Sequence, residues 1–163
     1  SVFGDDSTLL VDGVNNKIVG DIDTTSLRTS EANIRLGLMA GANGQQTSAI
    51  AIGTFAAAGS VQGDSAIAIG MYAGDSGQGN KTVAIGYKAG MTNQSEDTVA
   101  IGKNAGYASQ GVNSIAIGTQ AGYIGQTANS IVLNATGSQL NNTQSDSFVV
   151  KPIRNAVNAN YLQ

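Results

Sequence analysis

The sequence predicts an all-β protein, a parallel β-solenoid of about seven coils, each of 16 residues. Three observations predict it: a repeat of near-constant period, a two-faced β-prone triplet inside each repeat, and a composition short of bulky groups. Of the 163 residues, 22 are Gly and only 5% are aromatic, with no His, Cys or Trp. Such a chain has little with which to fill an ordinary globular core, and a stack of small coils gets round that shortage.

The repeat is marked by a glycine that follows an apolar triplet, at Gly37, Gly53, Gly70, Gly86, Gly102 and Gly118. Asn134 takes the same place in a seventh unit, and the spacings are 16, 17, 16, 16, 16 and 16. Downstream of most markers comes Ala-Gly (Ala40-Gly41, Ala73-Gly74, Ala89-Gly90, Ala105-Gly106, Ala121-Gly122), and four residues later Gln45, Gln78, Gln94, Gln110 and Gln126. The second unit departs from this, with Ala56-Ala57 and a Gln62 displaced by one extra residue.

Within each unit the triplet alternates, as a strand requires. One face carries Ile50, Ile52, Ile67, Ile69, Val83, Ile85, Val99, Ile101, Ile115, Ile117, Ile131 and Leu133; the other carries Ala51, Ala68, Ala84, Ala100 and Ala116. Helix is the poorer reading, because a Gly in every few residues costs about 1 kcal/mol each in a helix interior. Stacked in register, the strands pair in parallel at roughly 4.8 Å, giving a rod on the order of 30 Å long. The aliphatic column is then expected to form a continuous core ladder inside the solenoid, and the marker glycines to make its turns. The alanine column forms a flat surface suited to close approach of another chain. Its alternative is contact with the return segment of the same coil. The Gln94, Gln110 and Gln126 column suggests an amide ladder along the rod.

Residues 1–33 and 135–163 flank the repeat domain at 34–134. The N-terminal part reads as a β-rich connector, with β-prone pieces at 1–3, 8–11 and 17–19 split by Asp12-Gly13 and Asn15-Asn16 turn signals. Asp5, Asp6, Asp12, Asp21 and Asp23 lack the spacing of a calcium loop and read as turn carboxylates. The C-terminal part reads as a polar loop, a strand over 147–151 and a linker tail.

The absence of His and Cys removes most acid–base, nucleophilic and transition-metal constellations, so neither catalysis, metal nor cofactor is expected. Glu31 and Glu96 stand in different units, which speaks against a paired-carboxylate hydrolase. Eight scattered basic residues in a chain of formal net charge −3 argue against nucleic acid, and no apolar run long enough for a membrane span occurs. Tyr107 and Tyr123 are candidates for stacking on a host-surface glycan, the plainer reading being that they fill a turn.

The NSIAIG, TVAIG and SAIAIG units resemble the left-handed parallel β-roll of trimeric autotransporter adhesin heads, over about residues 34–134. That likeness implies a homotrimer with small residues turned toward the partners, a role the alanine column matches by position. The combination of SVFGDDSTLLVDGVNNKIVG, the AIAIG repeats, SIVLNATG and FVVKPIRN is similar to fibre and tail-fibre proteins of large marine and algal viruses and phages. It implies a structural fibre or spike segment at a virion surface that acts as a rigid trimeric spacer in host attachment. The competing expectation is a bacterial cell-surface adhesin head. An ice-binding solenoid would want an outward Thr column, which the Ala, Gly and Gln columns do not supply.

Overall fold

The computed structural model describes residues 10–12, 17–19 and 33–153. Strands β1 (Leu10–Asp12) and β2 (Lys17–Val19) pair antiparallel, Val11 opposite Ile18. The repeat triplets become β3 (Ile34–Leu36), β4 (Ile50–Ile52), β5 (Ile67–Ile69), β7 (Val83–Ile85), β9 (Val99–Ile101), β11 (Ile115–Ile117) and β12 (Ile131–Asn134). With β13 (Phe148–Lys151) they form one eight-stranded parallel sheet in repeat register, Ala68 beside Ala84 and Ala84 beside Ala100. The return segments carry a second, shorter parallel sheet of β6 (Ser76–Gln78), β8 (Thr92–Gln94) and β10 (Ala108–Gln110), where a strandless Gly-rich return was expected. The ladder also continues past Asn134, since β13 pairs with β12 in register. The segment 1–3, the carboxylates Asp5, Asp6, Asp21 and Asp23, and the tail from Asn155 lie outside the described residues.

Each coil hands its backbone hydrogen bonds to the coils on either side. The Ile67 N–H donates to Thr82 O at 2.8 Å, while Gly86 N–H donates back to Ile69 O at 2.8 Å. Between the strands the chain turns through left-handed backbone conformations at fixed places in the repeat. One such column is Ser48, Ser65, Lys81, Asp97, Asn113 and Asn129, all with φ between 53° and 58°. The marker glycines have a stronger requirement. Gly70 sits at φ 123°, and a Cβ there would lie 2.7 Å from the Gly86 carbonyl oxygen in the next coil. The expected turn role of Gly37, Gly53, Gly70, Gly86, Gly102 and Gly118 thus has a steric cause: the column stacks backbone on backbone.

The structure reverses the two faces of the main sheet. Ala51, Ala68, Ala84, Ala100 and Ala116 are 0% exposed within a single chain, so they are the interior and cannot be a surface for partners. Ile50, Ile52, Ile67, Ile69, Val83, Ile85, Val99, Ile101 and Ile115 are only half-buried, and Ile117 and Ile131 are exposed; with Leu133 they point outward and are not the core. The reason is the thinness of the coil. A Cβ placed on Gly90 would lie 3.2 Å from the Ala84 Cβ and 2.5 Å from the Gln94 Oε1. Along the repeat the two walls already touch through alanine and glycine, and a branched side chain enters this interior column fully only at Val132, past the last marker glycine. The alternative in which the alanines meet their own return segment is the one realised.

The one large group inside is glutamine. Gln78, Gln94, Gln110 and Gln126 are at most 3% exposed. Each reaches across its own coil, Nε2 donating to the carbonyls of Ile67 (2.8 Å), Val83 (3.1 Å), Val99 (2.9 Å) and Ile115 (3.0 Å). Rung-to-rung amide bonds join Gln45 to Gln62 at 2.7 Å and Gln94 to Gln110 at 3.4 Å, so the expected axial ladder is present only in part. Buried hydroxyls close the second turn: Thr82 Oγ1 donates to Gly79 O at 3.0 Å and Ser114 Oγ to Gly111 O at 2.6 Å.

The reversal has a direct test. Ala100→Ile should destabilise the fold by about 1–3 kcal/mol through overpacking against Gly106 and Gln110. Urea unfolding followed by circular dichroism measures it, and an unchanged midpoint would return the alanine face to the surface.

Candidate functional site

The outward face of the eight-stranded sheet is the largest chemically uniform feature among the described residues. Alternation puts two residues of each strand on it. One column runs Ile34, Ile50, Ile67, Val83, Val99, Ile115, Ile131 and Phe148, the other Leu36, Ile52, Ile69, Ile85, Ile101, Ile117, Leu133 and Val150. Rungs roughly 4.8 Å apart let each side chain lie on its neighbours above and below, which half-buries most of them. Toward the ends that shelter is lost, and Leu36 is 64% and Phe148 60% exposed. A contiguous branched-aliphatic strip along the rod is an association surface by its chemistry, because water gains when it is covered.

The flanks of this strip differ from one another. Past its second column the chain carries Leu38, Thr54, Met71, Tyr87, Lys103 and Thr119; before its first column stand Ser48, Ser65, Lys81, Asp97, Asn113 and Asn129. On the polar flank Lys81 Nζ meets Glu96 Oε1 at 3.2 Å, across adjacent coils. The hydrogen bond donated to Glu96, the charge of Asp97 and then that of Glu96 hold the Lys81 ammonium above its usual pKa. At the other flank Lys88 Nζ lies 5.9 Å from the Tyr72 ring centre and 5.3 Å from that of Tyr87. Tyr72 in turn stacks on Phe55, centroids 5.2 Å apart and planes at 3°.

Tyr107 and Tyr123 belong to one column of successive coils and stack on each other, 4.9 Å between centroids and 20° between planes. One face of each ring is used in that axial contact. Both rings remain partly exposed, but together they are first a clamp between two coils.

No group of three or more Asp or Glu able to hold a metal ion occurs among the described residues. A recess of about 490 Å³ at the first rungs is lined by Asn33, Gln45, Gln46, Thr47 and Asp64, amides and one carboxylate. Arg35 takes the place of alanine on the first rung and donates from Nε to Oε1 of Gln45, one of the lining residues, at 2.7 Å. The aliphatic face was legible as a column, but not as a surface. The signal was available: from β4 to β11 the main-sheet strands' interior column holds to Ala, whereas the outward columns interchange Ile and Val there, with Leu and Phe beyond.

A family model described as the YadA head domain repeat (2 copies) matches the chain at residues 109–121. That segment runs from the return strand β10 through β11 to the buried Ala121. Neither the curated proteins nor the solved structures contain a match. The chain is therefore similar to that head repeat over one coil's length.

The tyrosine clamp predicts a measurable effect. Tyr123→Leu should lower stability by about 0.5–1.5 kcal/mol beyond the change in buried area. A thermal melt beside the control Tyr87→Leu checks it, and equal effects at the two positions would contradict the clamp.

Proposed function

We propose that this chain is a rigid segment of a surface-displayed fibre or head, built as a homotrimer that buries the aliphatic face, and that it serves attachment rather than catalysis. The observation that carries this reading is the outward strip of Ile, Val and Leu. In a single chain it leaves two apolar columns in water along the full sheet, and three copies around an axis would convert them into a shared core. The adhesin-head likeness of residues 109–121 supports such an assembly at a cell or particle surface. Relative to the sequence-based expectation, the partner surface moves from the alanines to the aliphatics.

The finer reading is a virion fibre spacer, supported by the likeness of the N-terminal segment, SIVLNATG and FVVKPIRN to viral and phage fibres. A bacterial adhesin head is the second reading, favoured by the head-repeat match. The full-length gene separates them: a following self-cleaving chaperone domain supports the fibre, a coiled-coil stalk with a membrane anchor the adhesin. A host-surface glycan as ligand belongs to this proposal, with the partly exposed Tyr107 and Tyr123 as its contacts.

Three outcomes are expected. Light scattering should give three times the chain mass of 16.4 kDa. Ile85→Asp with Ile101→Asp should release folded monomers, because a charge at the centre of the buried strip cannot be desolvated unpaired. A wild-type monomer at high concentration would remove the trimer. On a glycan array, Tyr107→Ala and Tyr123→Ala should each lose any signal of the parent. Unchanged binding would clear both residues of that role.

A further inference from the structure

The fifth rung differs from all others at its two ends. Along Asp97, Thr98, Val99, Ala100, Ile101, Gly102 and Lys103, the residues Thr98 and Ala100 are fully buried. Asp97, Val99, Ile101 and Lys103 therefore form one outward row, acidic at one end, basic at the other and aliphatic between. Both charged ends are exposed. Neither forms an ion pair among the described residues, where the single pair is Lys81 with Glu96. The corresponding ends of the other rungs are Ser48 and Thr54, Ser65 and Met71, Lys81 and Tyr87, Asn113 and Thr119, and Asn129 and Ala135. No other of these rungs carries opposite charges at its two ends.

We infer that Asp97 of one copy pairs with Lys103 of the next around the trimer, so that this single rung sets the direction and the axial register of assembly. The inference rests on the aliphatic-face trimer proposed above. In a ring of three parallel rolls each strip has one flank toward each neighbour, so the Lys103 flank of one copy meets the Asp97 flank of the next at equal height. The aliphatic columns cannot choose that height, because a shift by one rung sets Ile against Ile or Val again. A lone pair of opposite charges can choose it, since a one-coil slip places Lys103 opposite the neighbour's Lys81 or Asn113. The acidic flank, Glu96 and Asp97 around Lys81, carries a net charge of one minus, which complements Lys103. This is heterologous complementarity, which favours a closed ring over a two-fold pair.

The test is a charge swap read by sedimentation. Asp97→Lys and Lys103→Asp, singly, should each weaken trimer association by roughly tenfold or more, and the double variant should restore it. The deficit of the single variants should shrink in about 1 M salt, where the screening length falls to roughly 3 Å. Single variants as stable as the wild type, a double variant no better than the singles, or a deficit indifferent to salt would each overturn the pairing while leaving the trimer standing. A wild type that does not trimerise would instead overturn the assembly reading beneath it. Because the chain has no cysteine, Asp97→Cys with Lys103→Cys gives an independent readout. A short bis-maleimide should then yield covalent trimers from the double variant and none from either single one. Covalent dimers from a single variant would mean like ends meet, and would overturn the ring.

Discussion

The contact between alanine and glycine across the interior of the coil governs everything else in this molecule. The main sheet and the return segment approach until the Ala84 Cβ leaves no room for a side chain on Gly90. Over the coils of β4 to β11 the interior columns are thereby held to Ala, Gly, Ser and Thr, with one Gln amide threading the remaining space; Val132 and Leu140 enter only at the last rungs. The tight turns that allow so close an approach need left-handed backbone at several places per coil. Some of these are glycine, while others are Asn, Asp, Ser or Lys exposed on the rim. Packing in this fold is settled before any large hydrophobic residue is placed.

A consequence is that hydrogen bonds, rather than apolar burial, hold the single chain together. Each coil is tied to its neighbours through backbone ladders and braced across its width by Gln Nε2 donating to a strand carbonyl. The amide oxygens of Gln78, Gln94 and Gln126 have no conventional donor. They lie against the Ala-Gly turn of their own coil, where a Cβ on the glycine would collide with them. That pairing of glycine and glutamine four residues apart accounts for the AGxxxQ spacing. It also accounts for the irregular second unit, where Ala57 replaces the glycine and Gln62 stands one residue further on. The aliphatic side chains, excluded from the interior, line the outward face, so the inside and the outside of the sheet draw on two different residue sets.

The failure of the inside-out expectation is instructive. Alternation shows that a strand has two faces, and the general tendency of Ile and Val to be buried assigns them inward. That tendency presumes an interior wide enough for branched side chains, which this coil lacks where Ala84 faces Gly90. Column variability was the better guide: a slot that accepts only Ala is sterically closed, whereas one that accepts Ile, Val, Leu or Phe has room. The Gln column was read correctly as structural, but its direction across the coil could not be seen from a period along the axis. Residues 135–146 carry no marker glycine and read as loop, while 147–151 read as a strand, which β13 is. Yet β13 finds its place by pairing with β12, a non-local match that no local pattern announces.

By itself the sequence determined the period, the strand positions of the main sheet and their parallel stacking, because these follow from local alternation repeated at a fixed interval. The same residues also ruled the chemistry, since His and Cys are simply absent. The tertiary structure alone decided which face is inside, because that depends on the distance between two walls that are far apart in the repeat. It also decided that Asp97 and Lys103 end one outward row, a relation that becomes visible only once Thr98 and Ala100 are known to be buried.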